Sequence, residues 1–433
     1  MSEARVSDPR PESAVSAGVG WSGLAGLVAW IVIARHFGLD GQYPAMAAVA
    51  ACGLPMLGWS LLIDRVHRNP STGIEWDRPL RPLAETLDIS LVKLTGLWAT
   101  WAIIAMLYCV GRWYWQGQYL FAMEVMGAAI PVVLLLSIPY ILWIDRRLAE
   151  PRDGAYAFGR MLLNLGPPDR EALHEHLRSW GVKGFFTAFM ISIVPGNFAE
   201  VVRPAVAEIF TNPVTLARWS IGAMFLVDVA FATVGYLMTL RPLDAHIRNA
   251  NPYAAGWVAA LICYPPFLLM NSGGPLDYHP GTEDWVYWMD GHPILLTAMG
   301  GVLVVLTGLY AWATVAFGLR FSNLTNRGVL THGPYRWSKH PAYLSKNIFW
   351  WLATMPFLAT TGSFTDMVRN SVILAMVSGV YYWRARTEER HLMAAEPAYR
   401  AYAEWMDRNA PLPKFVRWLR GESAPVKQAA SAE

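Results

Sequence analysis

Residues 121–144 read FAMEVMGAAIPVVLLLSIPYILWI, with Glu124 as the sole charged side chain in the run. A helix rises about 1.5 Å per residue, so this stretch is long enough to cross a hydrocarbon core of about 30 Å. Asp145, Arg146 and Arg147 follow at once and place basic charge at one end. Comparable runs recur on either side of it. Together they divide the chain into 19–37, 43–63, 91–110, 121–144, 184–202, 216–240, 254–270, 293–319, 343–359 and 367–383. The expected fold is all-α: a polytopic integral membrane helical bundle with about ten transmembrane helices.

Composition agrees with that reading. The 433 residues are 54% hydrophobic and 15% charged, against roughly 45–50% and about 25% in an ordinary soluble domain. A mean hydropathy of +0.28 excludes a single soluble core, a disordered chain and a collagen-like repeat. The net charge of +3 is too mild for a nucleic-acid binder, and the apolar composition makes a lipid bilayer the expected partner. Cys52, Cys109 and Cys263 stand far apart in apolar stretches, which indicates small core residues and neither disulfides nor a thiolate metal site.

The distribution of Lys and Arg tests the parse, because basic loops collect on the cytoplasmic side. Arg65, Arg68, Arg78 and Arg81 follow the second span, and Arg146, Arg147, Arg152, Arg160, Arg170, Arg178 and Lys183 follow the fourth. Arg241 and Arg248 follow the sixth, and Arg320, Arg327, Arg336, Lys339 and Lys346 surround the connection from the eighth to the ninth. All fall on one side. The opposite loop 271–293 carries Asp277, Glu283, Asp284 and Asp290 with no basic residue. The expectation is an inner or plasma membrane protein with both termini cytoplasmic.

The polar, Pro- and Ser-rich residues 1–18 lack a signal-peptide layout and read as a flexible cytoplasmic tail. Trp113, Trp115, Trp285, Trp288, Trp350, Trp351 and Trp383 lie near span ends, where indoles favour the interface. Residues 165–181, LGPPDREALHEHLRSWG, read as a helix on the membrane surface or capping a neighbour. Its His174 and His176 do not share a helix face, so it reads as a solvated face, not a metal site. The acidic loop likewise reads as ordinary solvated chemistry, and no metal is expected.

Functional side chains are densest in 320–352, RFSNLTNRGVLTHGPYRWSKHPAYLSKNIFWWL. Gly328 and Gly333-Pro334 mark turns. Pro341 suits the first turn of the ninth helix and leaves His340 near its N-cap. With Arg336 and Lys339 this helix start is suited to an anionic group. Arg320 and Lys346 read as basic anchors that snorkel to headgroups. A second cluster, TEERHLMAAEPAYRAYAEWM at 387–406, sets Glu388 and Glu389 directly after a membrane helix. Arg384 and Glu388 are spaced for an i,i+4 pair, and two adjacent carboxylates cannot share one face, so at least one should turn to the bundle end.

These two clusters, in this order and separated by one hydrophobic segment, resemble the C-terminal core of the isoprenylcysteine carboxyl methyltransferases and the related membrane phospholipid methyltransferases. The resemblance covers about the last quarter of the chain. It implies an S-adenosylmethionine-dependent methyltransferase with a cofactor site at the cytoplasmic face and a hydrophobic or lipidated acceptor. It implies cofactor contacts from Gly333, Tyr335, Arg336, His340, Pro341 and Tyr343 on one side and from Glu388 and Glu389 on the other, with Arg336, His340 and Glu389 in catalytic roles. The implied organisation is a tail at 1–18, an N-terminal transmembrane region at 19–290, a methyltransferase-like core at 291–410 and a flexible tail at 411–433. The chain departs from the family pattern at Lys339, where Arg is usual, at Ser345-Lys346, in place of a Gly-containing continuation, and at Pro397, in place of part of a Phe-Gly pair. The Ser345-Lys346 departure suggests a subfamily with its own acceptor.

Two other classes stand beside this one. Steroid and sterol reductases, which use NADPH, have a similar C-terminal arrangement, but usually continue their motif as Asn-Tyr-x-Gly. A transporter or sensor is suggested by Glu200, Asp228 and the Pro195-Gly196 break expected in the fifth span.

Overall fold

The computed structural model describes residues 10–419; the outer parts of both expected tails, 1–9 and 420–433, lie outside the described residues. In chain order the helices are α1 (Ala17–Phe37), α2 (Gln42–Gly58, continued by a π turn to Ile63), α3 (Leu83–Val110), α4 (Tyr119–Asp145), α5 (Gly154–Leu162), α6 (Arg170–Val202), α7 (Val206–Ile209) and α8 (Pro213–Leu237). Then come α9 (Ala254–Leu261), α10 (Trp285–Trp288), α11 (Pro293–Val315), α12 (Pro341–Thr354), α13 (Phe364–Ala395), α14 (Pro397–Asn409) and α15 (Pro411–Leu419). Among the described residues one two-residue strand pair, β1 (Asn249–Ala250) with β2 (Thr325–Asn326), joins the segment after α8 to the segment after α11.

Seven stretches among the described residues are long and apolar enough to cross a membrane: α1, α2 with its π turn, α3, α4, α6, α8 and the α11 segment Pro293–Arg320. The count of about ten therefore reduces to seven by this measure, and the three remaining spans differ in instructive ways. The helix expected over 254–270 stops at Leu261, and the chain continues irregularly through Pro265 and Pro266. Tyr264 there packs on Phe186 and Phe189, and Leu276 and Tyr278 pack on Leu374 and Val377 of α13. Backbone without regular hydrogen bonds is tolerated at membrane depth only where protein covers it. Helix α12 has 14 residues, about 21 Å of rise, short of a hydrocarbon core. Helix α13 is long enough, but Asp366, Arg369 and Asn370 in its first turns and Arg384 further along dilute its apolar run. Both still reach the far face of the bundle, where Thr360 N–H donates to Gly281 O and Asn370 Nδ2 to Pro280 O.

Local sequence sets the helix starts. Asp169 accepts from the N–H groups of Glu171 and Ala172 and opens α6, and Asn212 does the same for α8 ahead of Pro213. The helix expected on the membrane surface is the start of α6, which runs unbroken through Pro195 to Val202. The expected Pro195-Gly196 break does not occur, since tightly packed neighbours let a membrane helix absorb a proline. His176 is not on a solvated face: it is buried, with Nε2 2.8 Å from Thr100 Oγ1. In the acidic loop, Asp284 caps α10 and pairs with Arg218 at 2.7 Å.

Helices α3 and α5 approach until Cβ atoms on Gly96 and Gly159 would lie 2.0 and 1.9 Å from the carbonyl oxygens of Ala155 and Val92; small residues permit such contact between membrane helices. Buried Lys93 secures the same corner, 2.8 Å from both Asp145 and Asp153. Arg320, read as a headgroup anchor, is buried and pairs with Asp244 at 2.7 Å. Asp244 also accepts from Asn69 and Ser71, so charge pairing holds Arg320 inside. Residues 10–16, within the expected tail, are tied to the C-terminal region: Ala14 N–H donates to Val329 O, Ser13 Oγ is 2.8 Å from His332 Nδ1, and Arg10 stacks on Trp405. Of the C-terminal tail, residues 411–419 form α15.

Lys93 compensates two carboxylates in the interior. Lys93→Ala is expected to cost about 3–5 kcal/mol of stability by leaving them unpaired, whereas Arg78→Ala, removing an exposed pair with Glu75, should cost about 1 kcal/mol or less. Denaturant unfolding in detergent measures the difference.

Candidate active site

One end of the bundle is closed by a cap built from both motif clusters. Gly333 takes φ +58 and begins a 3-10 turn over Gly333–Arg336. Pro341 then sits at the start of α12, as its missing N–H favours, and His340 is left at the N-cap position. Helix α14 starts with Pro397 and lies over this turn: Tyr402 Oη donates to Tyr335 O at 2.6 Å, and Tyr399, Tyr402 and Met406 pack around Val329.

Helix α13 supplies the carboxylates. His340 Nε2 is 3.0 Å from Glu389 Oε1 and must donate, since a carboxylate only accepts. Lys339 Nζ reaches the same oxygen at 3.0 Å and Asp407 at 2.9 Å, while Arg386 holds Glu389 Oε2 at 2.8 Å. Burial pushes the Glu389 carboxyl upward, but the His340 hydrogen bond and the charges of His340 and Lys339 outweigh it and hold the pKa at about 2. Burial likewise pushes the Lys339 ammonium down, and the bonds to Asp407 and Glu389 outweigh it, so its pKa is raised. Glu388 faces another way and accepts from Tyr343 Oη. The i,i+4 pair of Arg384 with Glu388 does not form: Arg384 donates to Asn323 Oδ1 at 3.2 Å and lies over the rings of Tyr343, Tyr264 and Tyr381.

The two carboxylates serve two spaces. An interior cavity of about 180 Å³ has a cap end lined by Tyr335, His340, Glu388, His391, Tyr399 and Tyr402, and a deeper end lined by Tyr264, Tyr310, Lys346, Tyr381 and Arg384. A lateral groove of about 390 Å³ is lined by Trp337, Leu344, Tyr382, Glu389 and Met406 among others. His340 and Tyr343, stacked at 5.7 Å with planes 9° apart, line both and form part of the wall between them.

The structure thus gathers Tyr335, His340, Tyr343 and Glu388 at one cavity and sets Glu389 on its outer wall. Gly333 and Pro341 shape the backbone. Arg336 is exposed and lines neither space. Lys346, read as a headgroup anchor, lies inside against three aromatic rings, because α12 turns that side toward α11 and α13. Sequence reading missed Tyr264, Tyr310, Asn323 and His391 as cavity residues; they come from segments with no motif, and adjacency in space is their only signal.

The bundle and its capped cavity define a polytopic helical membrane protein with an interior polar site next to a lateral apolar groove. Residues 296–394 match the isoprenylcysteine carboxyl methyltransferase (ICMT) family, and a domain of that family indicates a membrane methyltransferase. The matched region runs from α11 to the end of α13 and so includes the His340, Tyr343, Glu388 and Glu389 constellation; Tyr399 and Tyr402 lie just beyond it. No curated protein and no solved structure matches the chain.

Because the Glu389 pKa is depressed in the folded state, its ionised form contributes stability that is complete above about 4.5, the ordinary value, and is lost as pH falls through about 2. Glu389→Gln is expected to flatten the acid limb of a stability-versus-pH curve over that window. Thermal unfolding in detergent from pH 5 downward reads it; identical acid limbs in the two proteins would refute the clasp.

Proposed function

We propose that the chain is an integral membrane S-adenosylmethionine-dependent methyltransferase that modifies a lipid-like or isoprenylated acceptor at the cytoplasmic face. The observation that carries this reading is the joining of the two motif clusters in the family-matched region: Tyr343 to Glu388 and His340 to Glu389, around one cavity. The basic loops of the sequence support the cytoplasmic placement.

The cap end suits the cofactor by its chemistry. S-adenosylmethionine presents an ammonium and a diol, which need acceptors, and a flat adenine, which needs apolar faces. Glu388 accepts one hydrogen bond, from Tyr343, which leaves acceptor capacity for the ammonium or the ribose hydroxyls. Tyr335, Tyr399 and Tyr402 bring aromatic surface to the same end. When bound, the cofactor supplies an electrophilic methyl group for an in-line displacement.

The residues of the chain position and exclude water. His340 and Lys339 keep Glu389 ionised and so fix the α12–α13 wall, Tyr343 orients Glu388, and α14 covers the cavity. The lateral groove, mostly apolar and bounded by His340 and Tyr343, gives a hydrophobic acceptor a route from the bilayer to the wall of the cofactor end.

Purified protein in bilayer nanodiscs, given methyl-labelled S-adenosylmethionine and a membrane lipid extract, is expected to label a lipid fraction. Glu388→Gln should reduce labelling by roughly 100-fold, the scale on which misplacement of a bound reactant acts. Saturable binding of a nicotinamide dinucleotide with none of S-adenosylmethionine would overturn the reading in favour of a reductase.

A further inference from the structure

The deeper end of the cavity holds two cations, Lys346 and Arg384, that among the described residues have no carboxylate in ion-pair distance. Among the described residues the Lys346 ammonium makes no hydrogen bond or ion pair; it faces the rings of Tyr310 and Trp350 at 5.3 Å each and of Tyr381 at 5.7 Å. Arg384 is buried and donates to Asn323 Oδ1, and among the described residues its Nε has no partner. Asp228 acts on Lys346 through its charge without forming an ion pair, and accepts hydrogen bonds from Tyr310 Oη and Thr314 Oγ1. Aromatic faces compensate a buried cation only in part, and an uncompensated charge in the interior is costly. The surface that Lys346 and Arg384 keep is cavity wall. Their arrangement asks for an anion delivered by a ligand.

We propose that Lys346 and Arg384 form a subsite for an anionic group, a carboxylate or a phosphate, carried by the acceptor; this deepens the methyltransferase reading and rests on it. Three observations favour the acceptor over the cofactor as the source. Lys346 lies six residues into α12 beyond His340, about 9 Å along the axis, and Arg384 lies one turn of α13 away from Glu388 on the same deeper side. S-adenosylmethionine carries an ammonium beside its carboxylate and a sulfonium nearby, so a cage of two cations repels that end. The Tyr343, Tyr310 and Tyr264 rings that surround the pair make it a dry seat, suited to the headgroup of an amphiphile. The anion held there is a handle and not the methylated atom, because a carboxylate neutralised by two cations is a poor nucleophile.

The test uses the full-length protein in nanodiscs and three single-chain probes of equal length: dodecanoate, dodecyl phosphate and dodecanol. Binding is followed through tryptophan fluorescence, since Trp350 lies beside Lys346. Wild-type protein is expected to bind at least one anionic probe tenfold or more tighter than dodecanol, and comparison of the carboxylate with the phosphate identifies the headgroup. Lys346→Met should abolish the preference and Lys346→Arg restore most of it, with binding of labelled S-adenosylmethionine unchanged in both. Equal binding of dodecanol and the anions, or a preference that survives in Lys346→Met, overturns the proposal. So does a parallel loss of S-adenosylmethionine affinity in Lys346→Met, which would assign the pair to the cofactor. If wild-type protein binds no S-adenosylmethionine, the methyltransferase reading fails by itself, and the probe series still decides whether the anion subsite exists.

Discussion

Two hydrogen bonds between α12 and α13, from Tyr343 to Glu388 and from His340 to Glu389, fix the cap on which the site depends. The partners are more than 40 residues apart in sequence, yet each bond satisfies a group that is expensive to leave unpaired near a membrane. With α13 registered against α12 in this way, adjacent carboxylates, about 100° apart around one helix, face different spaces. The interior cavity and the lateral groove follow from that divergence, since Glu388 and Glu389 belong to different walls. Helix α14 completes the closure through Tyr402, which bonds to the carbonyl of Tyr335.

Buried charge organises the rest of the molecule in the same manner. Lys93 is matched by Asp145 and Asp153, and Arg320 by Asp244. Arg327 is buried and among the described residues has no carboxylate partner, but it donates to backbone carbonyls of Gly235, Phe321, Met238, Ala245 and Leu319, which gathers the ends of α8 and α11. Against these compensated cations, Lys346 and Arg384 stand apart because their open side is a cavity.

The long apolar runs made most of the bundle legible. Spans 19–37, 43–63, 91–110, 121–144, 216–240 and 293–319 correspond closely to helices, since a run of apolar residues with flanking charge has few other uses. The run at 254–270 misled because hydropathy reports an apolar environment and not backbone form: Tyr264 packs against Phe186 and Phe189 of α6 from an irregular segment as readily as it could from a helix. The motif residues were legible as a group, and Tyr335, His340, Tyr343 and Glu388 do meet. Arg320 and Lys346 were expected outside and are found inside, while Arg336, expected at the cofactor, is exposed and lines neither space. Sequence spacing does not say which side of a helix or turn faces a neighbour.

By itself the sequence determined that this chain is a helical membrane protein, that its basic groups collect on alternate connections, and that its densest run of functional side chains lies near the ninth and tenth hydrophobic segments. Those conclusions rest on hydropathy, on charge counting and on local turn chemistry, all of which are properties of contiguous residues. The tertiary structure decided which carboxylate faces the cavity, which cations lose their contact with water, and that Tyr264, Tyr310 and Asn323 join the site. Such decisions depend on the register of α12 against α13 and on the irregular segment packed behind them, and register is a relation between distant segments that no single stretch encodes.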